Sequence, residues 1–306
     1  MTTCLVTGGA GFIGSNLVDK LIDNNYKVII VDNLSTGFEK NVNPKAIFIN
    51  TDINNTEDIE SIFKNHNIDY VFHLAAQIDV RKSTIDPVFD ANTNILASIK
   101  LIALAKKYQT KKFIYISTGG AVYGNPQYIP ADENHPVNPL CPYGISKHTV
   151  EHYLYYNSLE DNFNYTVLRL PNVYGPRQNP EGEAGVVSIF INTLLKNKTP
   201  ILYGHGKATR DYVYVGDVVE AIQLAIATAD REIINIGWGK ETSVQEILDT
   251  ICNDLNIKVT PVYEPLRPGE VKAIALKAEK AKEILNWQPK TTLSEGIHQT
   301  VLWAKT

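Results

Sequence analysis

Cys4-Leu5-Val6-Thr7-Gly8-Gly9-Ala10-Gly11-Phe12-Ile13-Gly14 begins as a short apolar run and then passes glycines at positions 8, 11 and 14 before an amphipathic stretch, Ile13 to Asn24. A run of this kind predicts a strand, a tight turn and a helix in immediate succession. Glycine at such a turn serves three needs: a sharp bend, close approach of bare backbone to a pyrophosphate, and close packing of helix on strand. The helix N-terminus adds unpaired N–H groups and the positive end of a dipole. The stretch therefore reads as a dinucleotide loop, with Gly8, Gly11, Phe12, Ile13 and Gly14 as its contacts.

Outward from the loop the alternation repeats. Lys27 to Val31, Tyr70 to His73, Lys112 to Ile116 and Tyr165 to Arg169 are short and rich in β-branched and aromatic residues; Glu57 to Asn65, Val88 to Lys107 and Tyr143 to Glu160 carry helical periodicity. Nearly all-apolar strands are buried on both faces, which a parallel sheet between two helical layers provides. The expected class is α/β, a Rossmann-type doubly wound parallel sheet with its ligand at the carboxyl ends of the strands. After Pro171 the pattern changes to a loop-rich segment, an apolar helix at Val186 to Leu195, and an apparent return to the first domain at Asp211 to Val215 and Val218 to Ala227. A helix (Val244 to Leu255), a strand (Val259 to Tyr263), a turn (Pro265 to Gly269) and a last helix (Lys277 to Leu285) complete it. The expected organisation is a nucleotide domain of residues 1–171 plus about 211–236 and a smaller, discontinuous C-terminal α/β substrate domain of 172–210 plus about 237–306, with the ligand cleft between them.

With 306 residues the chain is long enough to bury a core without a disulfide or structural metal. Its 29 Lys and Arg against 33 Asp and Glu leave a net charge of −4, which argues against nucleic acid or a membrane surface as partner and for a small molecule. Cys4, Cys141 and Cys252 are odd in number, far apart and without a C-x-x-C pair, so neither a disulfide framework nor a metal site is expected. No basic, apolar leader opens the chain and no run approaches 18 apolar residues, from which a cytoplasmic protein is expected.

Strand two ends in Asp32, where a carboxylate takes both ribose hydroxyls of the adenosine and repels a 2′-phosphate. Asn33 to Glu39 hold no Arg or Lys, so the expected cofactor is NAD. Asp52 and Ile53, after the third strand, are expected at the adenine edge. Tyr143 and Lys147 stand four apart behind Pro142 at a helix start and share one face. An ammonium and a helix N-terminus beside a phenol, which ordinarily titrates near about 10, favour its phenolate and make it a base near neutrality. By itself the pair is common on helix surfaces; beside a glycine loop and a Ser/Thr-rich strand end it reads as catalytic.

These residues resemble the extended short-chain dehydrogenase/reductase family, and within it the NAD-dependent nucleotide-sugar epimerases. The resemblance runs along nearly the whole chain, through Thr7 to Gly14, Asp32 to Gly37, His73-Leu74-Ala75-Ala76-Gln77 and Tyr143-Gly144-Ile145-Ser146-Lys147. It continues in Asn172 to Arg177, Arg210-Asp211-Tyr212-Val213, Asn235-Ile236-Gly237 and Arg267-Pro268-Gly269-Glu270. It implies further NAD contacts from Asn33, Ser35, Thr36, Gly37, Leu74, Ala75, Ala76, Gln77, Ser117 and Asn92, the last also holding the backbone of the site. It implies a UDP-hexose substrate, gripped by Asn172, Arg210, Arg267, Tyr203, Glu270 and the backbone near Val186 and Val187. The family's hydroxyl column falls on Gly119, so the role passes one residue back to Thr118 across an expected bulge in Ser117-Thr118-Gly119-Gly120.

Related dehydratases and decarboxylases resemble Thr-Asp-Glu or Thr-Ser-Glu in this segment, where the chain has Gly-Gly-Ala; the resemblance therefore implies C4 epimerisation between UDP-glucose and UDP-galactose rather than elimination. A homodimer through Val88 to Lys107 and Tyr143 to Glu160 is implied as well. Two alternatives stand beside this: another UDP-sugar (N-acetylglucosamine, glucuronate or a pentose), with a gatekeeping position near Ala273-Ile274, and a non-catalytic NAD sensor, against which the Tyr143–Lys147 pair argues.

Overall fold

The computed structural model describes residues 1–181, 185–265 and 271–306, with backbone alone at 160 and 161. Seven strands form one parallel sheet: β1 (Thr3–Thr7), β2 (Lys27–Asp32), β3 (Ile47–Asn50), β4 (Tyr70–His73), β5 (Lys112–Thr118), β6 (Tyr165–Leu170) and, late in the chain, β11 (Glu232–Asn235). Their spatial order is β11-β6-β5-β4-β1-β2-β3, so the order reverses between β1 and β4. That reversal opens a crevice at the carboxyl ends of those two strands, the place where this architecture binds ligands.

Alternation along each strand feeds two cores. Cys4 and Val6 of β1 and Val28 and Ile30 of β2 pack with α1 (Phe12–Asp23) and, later, α9 (Val215–Leu224) and α11 (Glu279–Leu285). Leu5, Ile29 and Val31 face the opposite layer, α2 (Thr56–Asn65), α5 (Ala97–Lys107) and α7 (Pro142–Asp161). Burial on both sides is why the strands are apolar throughout.

Between β4 and α5 lie α3 (Val80–Ile85) and α4 (Pro87–Ala91), which continues through a π-helical turn, Asn92–Leu96, into α5. The continuous run Pro87–Lys107 has 21 residues and is long and apolar enough by length and composition alone to cross a membrane, though polar and charged residues such as Asp90 and Lys100 interrupt it and 44% of its most apolar 18-residue window is buried inside the fold. A short helix, α6 (Gly119–Val122), follows β5 directly.

Beyond β6, β7 (Asn172–Tyr174) pairs with β10 (Tyr212–Tyr214) in its own two-stranded sheet, and Val213 and Val215 pack into the core of the large sheet. The next helix, α9, does pack on α1. A separate apolar core joins α8 (Val186–Leu195), α10 (Val244–Leu255) and α12 (Leu293–Ala304) through Phe190, Ile191, Ile247, Ile251, Ile297 and Val301. Small pairs complete it: β8 (Ile201–Tyr203) with β13 (Val262–Glu264), and β9 (Thr209–Arg210) with β12 (Thr242–Ser243).

Two expectations need correction here. The helix at Lys277 to Leu285 is not the last, because α12 comes after it, opened by a capping box between Thr292 and Glu295. Nor does the whole of 237–306 pack apart from the sheet: Ala281, Leu285 and Trp287 lie in the sheet's own core, since the apolar stripe of α11 faces α9 and β11.

Candidate active site

The first helix starts at the crevice with Gly11 as its N-cap, no side chain capping it and no acid in its first turn, so its N–H groups are open to an anion. Gly8 holds φ +73°, and a Cβ there would sit 2.7 Å from the backbone nitrogen of Ala75. Gly14 packs closer still, a Cβ falling 2.0 Å from the Gly8 carbonyl oxygen. The loop thus packs backbone against backbone with no room for side chains, and its bare glycines line the cavity, which fits a pyrophosphate lying on it.

Asp32, at the end of β2, is 8% exposed; its Oδ2 accepts from Ala10 N at 3.0 Å and its Oδ1 from Leu34 N at 2.9 Å, which aims the carboxylate into the crevice. Asp52 is held by Asn33 Nδ2 at 2.7 Å and by Asn54. The residues present fit a dinucleotide with an unphosphorylated adenosine ribose.

A single cavity of about 1510 Å³ runs from this loop to the separate core of α8, α10 and α12. Its wall includes Gly8, Gly11, Phe12, Ile13, Gly14, Asp32, Asn33, Ser35, Thr36, Asp52, Ile53, Leu74, Ala75, Ala76, Gln77, Ser117, Thr118, Tyr143 and Lys147 on the sheet side, and Asn172, Val186, Tyr203 and Arg210 on the other. Three expected contacts lie off that wall. Gly37 packs behind it, where a Cβ would meet Ala10 and the Asp32 carboxylate at 3.0 Å. The Val187 side chain is core, leaving only its backbone at the start of α8. Asn92 is exposed. Arg267 and Glu270 fall outside the described residues. Ala273 bridges to Thr209 and Ile274 is 3% exposed; neither lines the cavity, whereas Val271 does.

The Asn92 assignment is corrected to Asn94. A π turn carries an extra residue per turn and so rotates the residues after it about the helix axis; within Asn92–Leu96 it turns Asn94 into the core, 2% exposed. Asn94 Oδ1 accepts from Gln77 N at 2.8 Å and its amide donates to Gln77 O at 2.9 Å, locking the Leu74–Gln77 turn. Nothing in the residue pattern reveals that phase shift.

The expected bulge before α6 is absent: β5 pairs with β6 in unbroken register through Ser117↔Arg169 and Thr118↔Leu170. Strand alternation does the work instead. Ser117 Oγ points one way and donates to Glu151 Oε1 at 2.6 Å; Thr118 faces the other way and lines the cavity with Tyr143. Glu151, missed at the level of sequence, is 2% exposed and takes Arg169 on both oxygens, Nε at 3.0 Å and Nη2 at 2.6 Å.

Tyr143 sits in the first turn of α7, behind Cys141 as N-cap and Pro142. Burial pushes its phenol above the ordinary value, Cys141 and Asp90 push the same way, and only Thr118 lowers it. The phenol is therefore not poised as a base by this chain's charges alone, as the spacing of Tyr143 and Lys147 had suggested. Lys147 is 4% exposed; its Nζ donates to Ile116 O at 2.8 Å and lies 4.8 Å over the Tyr115 ring. Burial brings it down to about 8, against Asp90 and Glu151, which raise it. His73 of the His73–Gln77 motif is a core residue: Nδ1 meets Thr7 Oγ1 at 2.7 Å, Nε2 meets Ser98 Oγ at 2.8 Å, and burial holds it neutral, near about 3.

Two further residues explain motifs in the second half. Arg177 reaches Asp19 of α1 at 2.6 Å, and Asn16 Nδ2 donates to Pro176 O at 3.2 Å, so the loop after β7 is stapled to the helix that carries the dinucleotide loop. Asp211, 1% exposed, accepts from Trp238 N, Gly239 N and Leu276 N. It ties three distant segments together beside Arg210.

Comparison with known proteins agrees with this geometry. Residues 4–237 match the model of the NAD dependent epimerase/dehydratase family. A protein of Methanocaldococcus jannaschii, provisionally named a UDP-glucose 4-epimerase, is 51% identical across 98% of both chains. The crystal structure of UDP-glucose 4-epimerase with UDP-glucose from Thermotoga maritima superposes with a TM-score of 0.98 at 47% identity, covering 99% of each chain. That of the Thermus thermophilus UDP-glucose 4-epimerase in complex with NAD superposes at 0.94 and 38% identity, again over 99% of each. With its glycine cradle, Asp32 and the Thr118–Tyr143–Lys147 group in one cavity, this chain belongs to the NAD dependent epimerase/dehydratase family.

Proposed function

We propose that this chain is a 4-epimerase that interconverts UDP-glucose and UDP-galactose with a resident NAD. The observation that carries it is one continuous cavity with the glycine cradle at one end, Tyr203 and Arg210 at the other, and Tyr143 in its wall. Tyr143 takes the proton of the C4 hydroxyl, with Thr118 beside it in the cavity wall, and later returns it. NAD held by the glycine loop and Asp32 would supply a reversible acceptor for the C4 hydride. Lys147, fixed by Ile116 O, holds a positive charge against the same wall.

Asn172, the Arg210 guanidinium and the backbone at the start of α8 hold the diphosphate while the sugar turns, and Tyr203 offers a flat face to the base. Gly120 and Ala121 line the wall where an extra acid would serve elimination, which supports inversion over loss of water. The nucleotide part comprises residues 1–171 with about 211–236, the sugar part 172–210 with about 237–306, and α11 leans back on the former.

Purified protein incubated separately with UDP-glucose and UDP-galactose is expected to reach the same mixture from both sides without added NAD. Products lacking water or carbon dioxide, or no C4 inversion, reject the assignment, and turnover confined to N-acetylated sugars moves it to that substrate. The absence of disulfides among the described cysteines supports a reducing, cytoplasmic location. Val88 at 69% exposure and Leu159 at 66%, with Leu96, Tyr155 and Tyr156 on the same two helices, support a homodimer. Light scattering should return twice the chain mass; a monomer overturns this.

A further inference from the structure

We infer that Asp19 and Arg177 form a clasp that keeps the dinucleotide in this chain: through the helix that carries the glycine loop, they join two other loops of the cavity wall. This deepens, and rests on, the reading of NAD as a resident cofactor given above. Asp19 lies about two turns into α1, and its two oxygens serve different segments. Oδ1 accepts from Asn43 Nδ2 at 2.7 Å, and Oδ2 accepts from Arg177 Nη2 at 2.6 Å. Three residues earlier, on the same side of α1, Asn16 Nδ2 donates to Pro176 O at 3.2 Å.

Asn43 belongs to the segment that leaves β2 at Asp32. Along that segment Asn33, Ser35 and Thr36 line the cavity. Phe38 N and Asn41 Nδ2 donate to Ala10 O at 3.1 and 3.2 Å, which also pins the segment to the glycine loop. Pro176 and Arg177 follow β7; there Arg177, Gln178 and Asn179 line the same cavity, and Gln178 Nε2 donates to Val173 O at 3.0 Å. Arg177 holds φ +73°, a backbone that a residue with a side chain keeps only where surrounding contacts impose it. One carboxylate thus joins the loop after β2 to the loop after β7, and both loops share a cavity wall with the glycines. The Arg177 and Asp19 side chains are 27% and 33% exposed, and a pair so exposed adds little to the stability of a fold. It ties together segments that must part for a bound dinucleotide to leave, so its effect falls on escape of the cofactor rather than on folding.

The test follows NAD itself. Wild type and variants are saturated with NAD, freed of excess by gel filtration, and the NAD released over time is counted with an auxiliary dehydrogenase. Asp19→Ala removes both contacts of the carboxylate and is expected to release NAD about five- to tenfold faster than wild type. Arg177→Ala should quicken release by a smaller factor, and the double variant should be no faster than Asp19→Ala, because both substitutions remove one shared contact. Should Asp19→Ala not fold, Asp19→Asn serves: it keeps an oxygen for Asn43, removes the charge that faces Arg177, and should still release NAD faster than wild type. Lys290→Ala breaks an exposed pair with Glu220 at 2.6 Å, outside the cavity wall, and should leave release as it is. Release unchanged by Asp19→Ala, single effects that multiply in the double variant, or release equally quickened by Lys290→Ala overturn the clasp. Wild type that carries no NAD through the column rejects the resident cofactor itself, whereas wild type and Asp19→Ala that retain it equally reject only the role of Asp19 and Arg177.

Discussion

Tyr143→Phe is expected to lower kcat for C4 inversion by a factor on the order of 10² to 10⁴ while UDP-sugar affinity changes little. The substitution deletes the hydroxyl proposed to exchange a proton with the C4 hydroxyl and leaves the ring in the first turn of α7. Lys147 keeps its hydrogen bond to Ile116 O, so the rest of the wall stays in place. The grip on UDP is assigned to Asn172, Tyr203 and Arg210, which reach the cavity from other elements, and a change confined to the phenol leaves them alone. Initial rates and binding isotherms measured on the same preparation decide it: a near-normal kcat removes Tyr143 from the chemistry, and a parallel loss of affinity makes it a binding residue instead.

The second large effect is on stability. Glu151→Ala strands the Arg169 guanidinium, 3% exposed, without its partner, and removing one member of a buried pair costs about 3–5 kcal/mol. For a chain of this size the melting temperature should fall by roughly 5–10 °C. Burial by itself would raise the Glu151 carboxyl, but His148, Arg169 and Ser117 outweigh it and hold it at about 2. A carboxylate whose folded-state value is depressed lends stability that is complete above its unfolded value, 4.5 here, and is lost as pH falls through about 2. The gap between wild-type and variant melting curves should therefore be full at neutral pH and narrow in acid below about 4. A gap that is absent at pH 7, or that does not shrink in acid, rejects the assignment of this pair as a structural clamp. Because Ser117 donates to the same carboxylate, the loss should also loosen the end of β5 just before Thr118.

Local rules explain what the chain discloses before it is folded. The glycine spacing at 8, 11 and 14 is legible because a bend, a bare backbone and a close helix each demand glycine within one short stretch. Asp32 is legible for a similar reason: the end of β2 is a fixed distance from the loop. The all-apolar strands announce a sheet covered on both faces, and the interval of four between Tyr143 and Lys147 announces a shared helix face. Long periodic segments such as α10 carry their own boundaries, here Ser243 and Glu246 as a capping box.

Other assignments depend on partners distant in the chain. Gly119 stands in the family's hydroxyl column, and the residue pattern asked for a bulge; the unbroken pairing of β5 with β6 removes it and lets alternation alone send Thr118 to the cavity wall with Tyr143 and Ser117 to Glu151. Asn92 and Asn94 look alike in sequence, and only the π turn brings the second inward. Arg169, read as the tail of an apolar strand, becomes a clamp once α7 delivers Glu151 to it.

By itself, then, the sequence determined the dinucleotide loop, the preference for an unphosphorylated ribose, the parallel sheet and the tyrosine–lysine helix, because each follows from spacing within one strand, turn or helix. Tertiary structure decided which hydroxyl shares the cavity wall with Tyr143, which asparagine holds the cofactor turn, and the charges of the buried lysine and glutamate. Those depend on desolvation and on groups brought together from far along the chain, and neither has a period that a sequence can display.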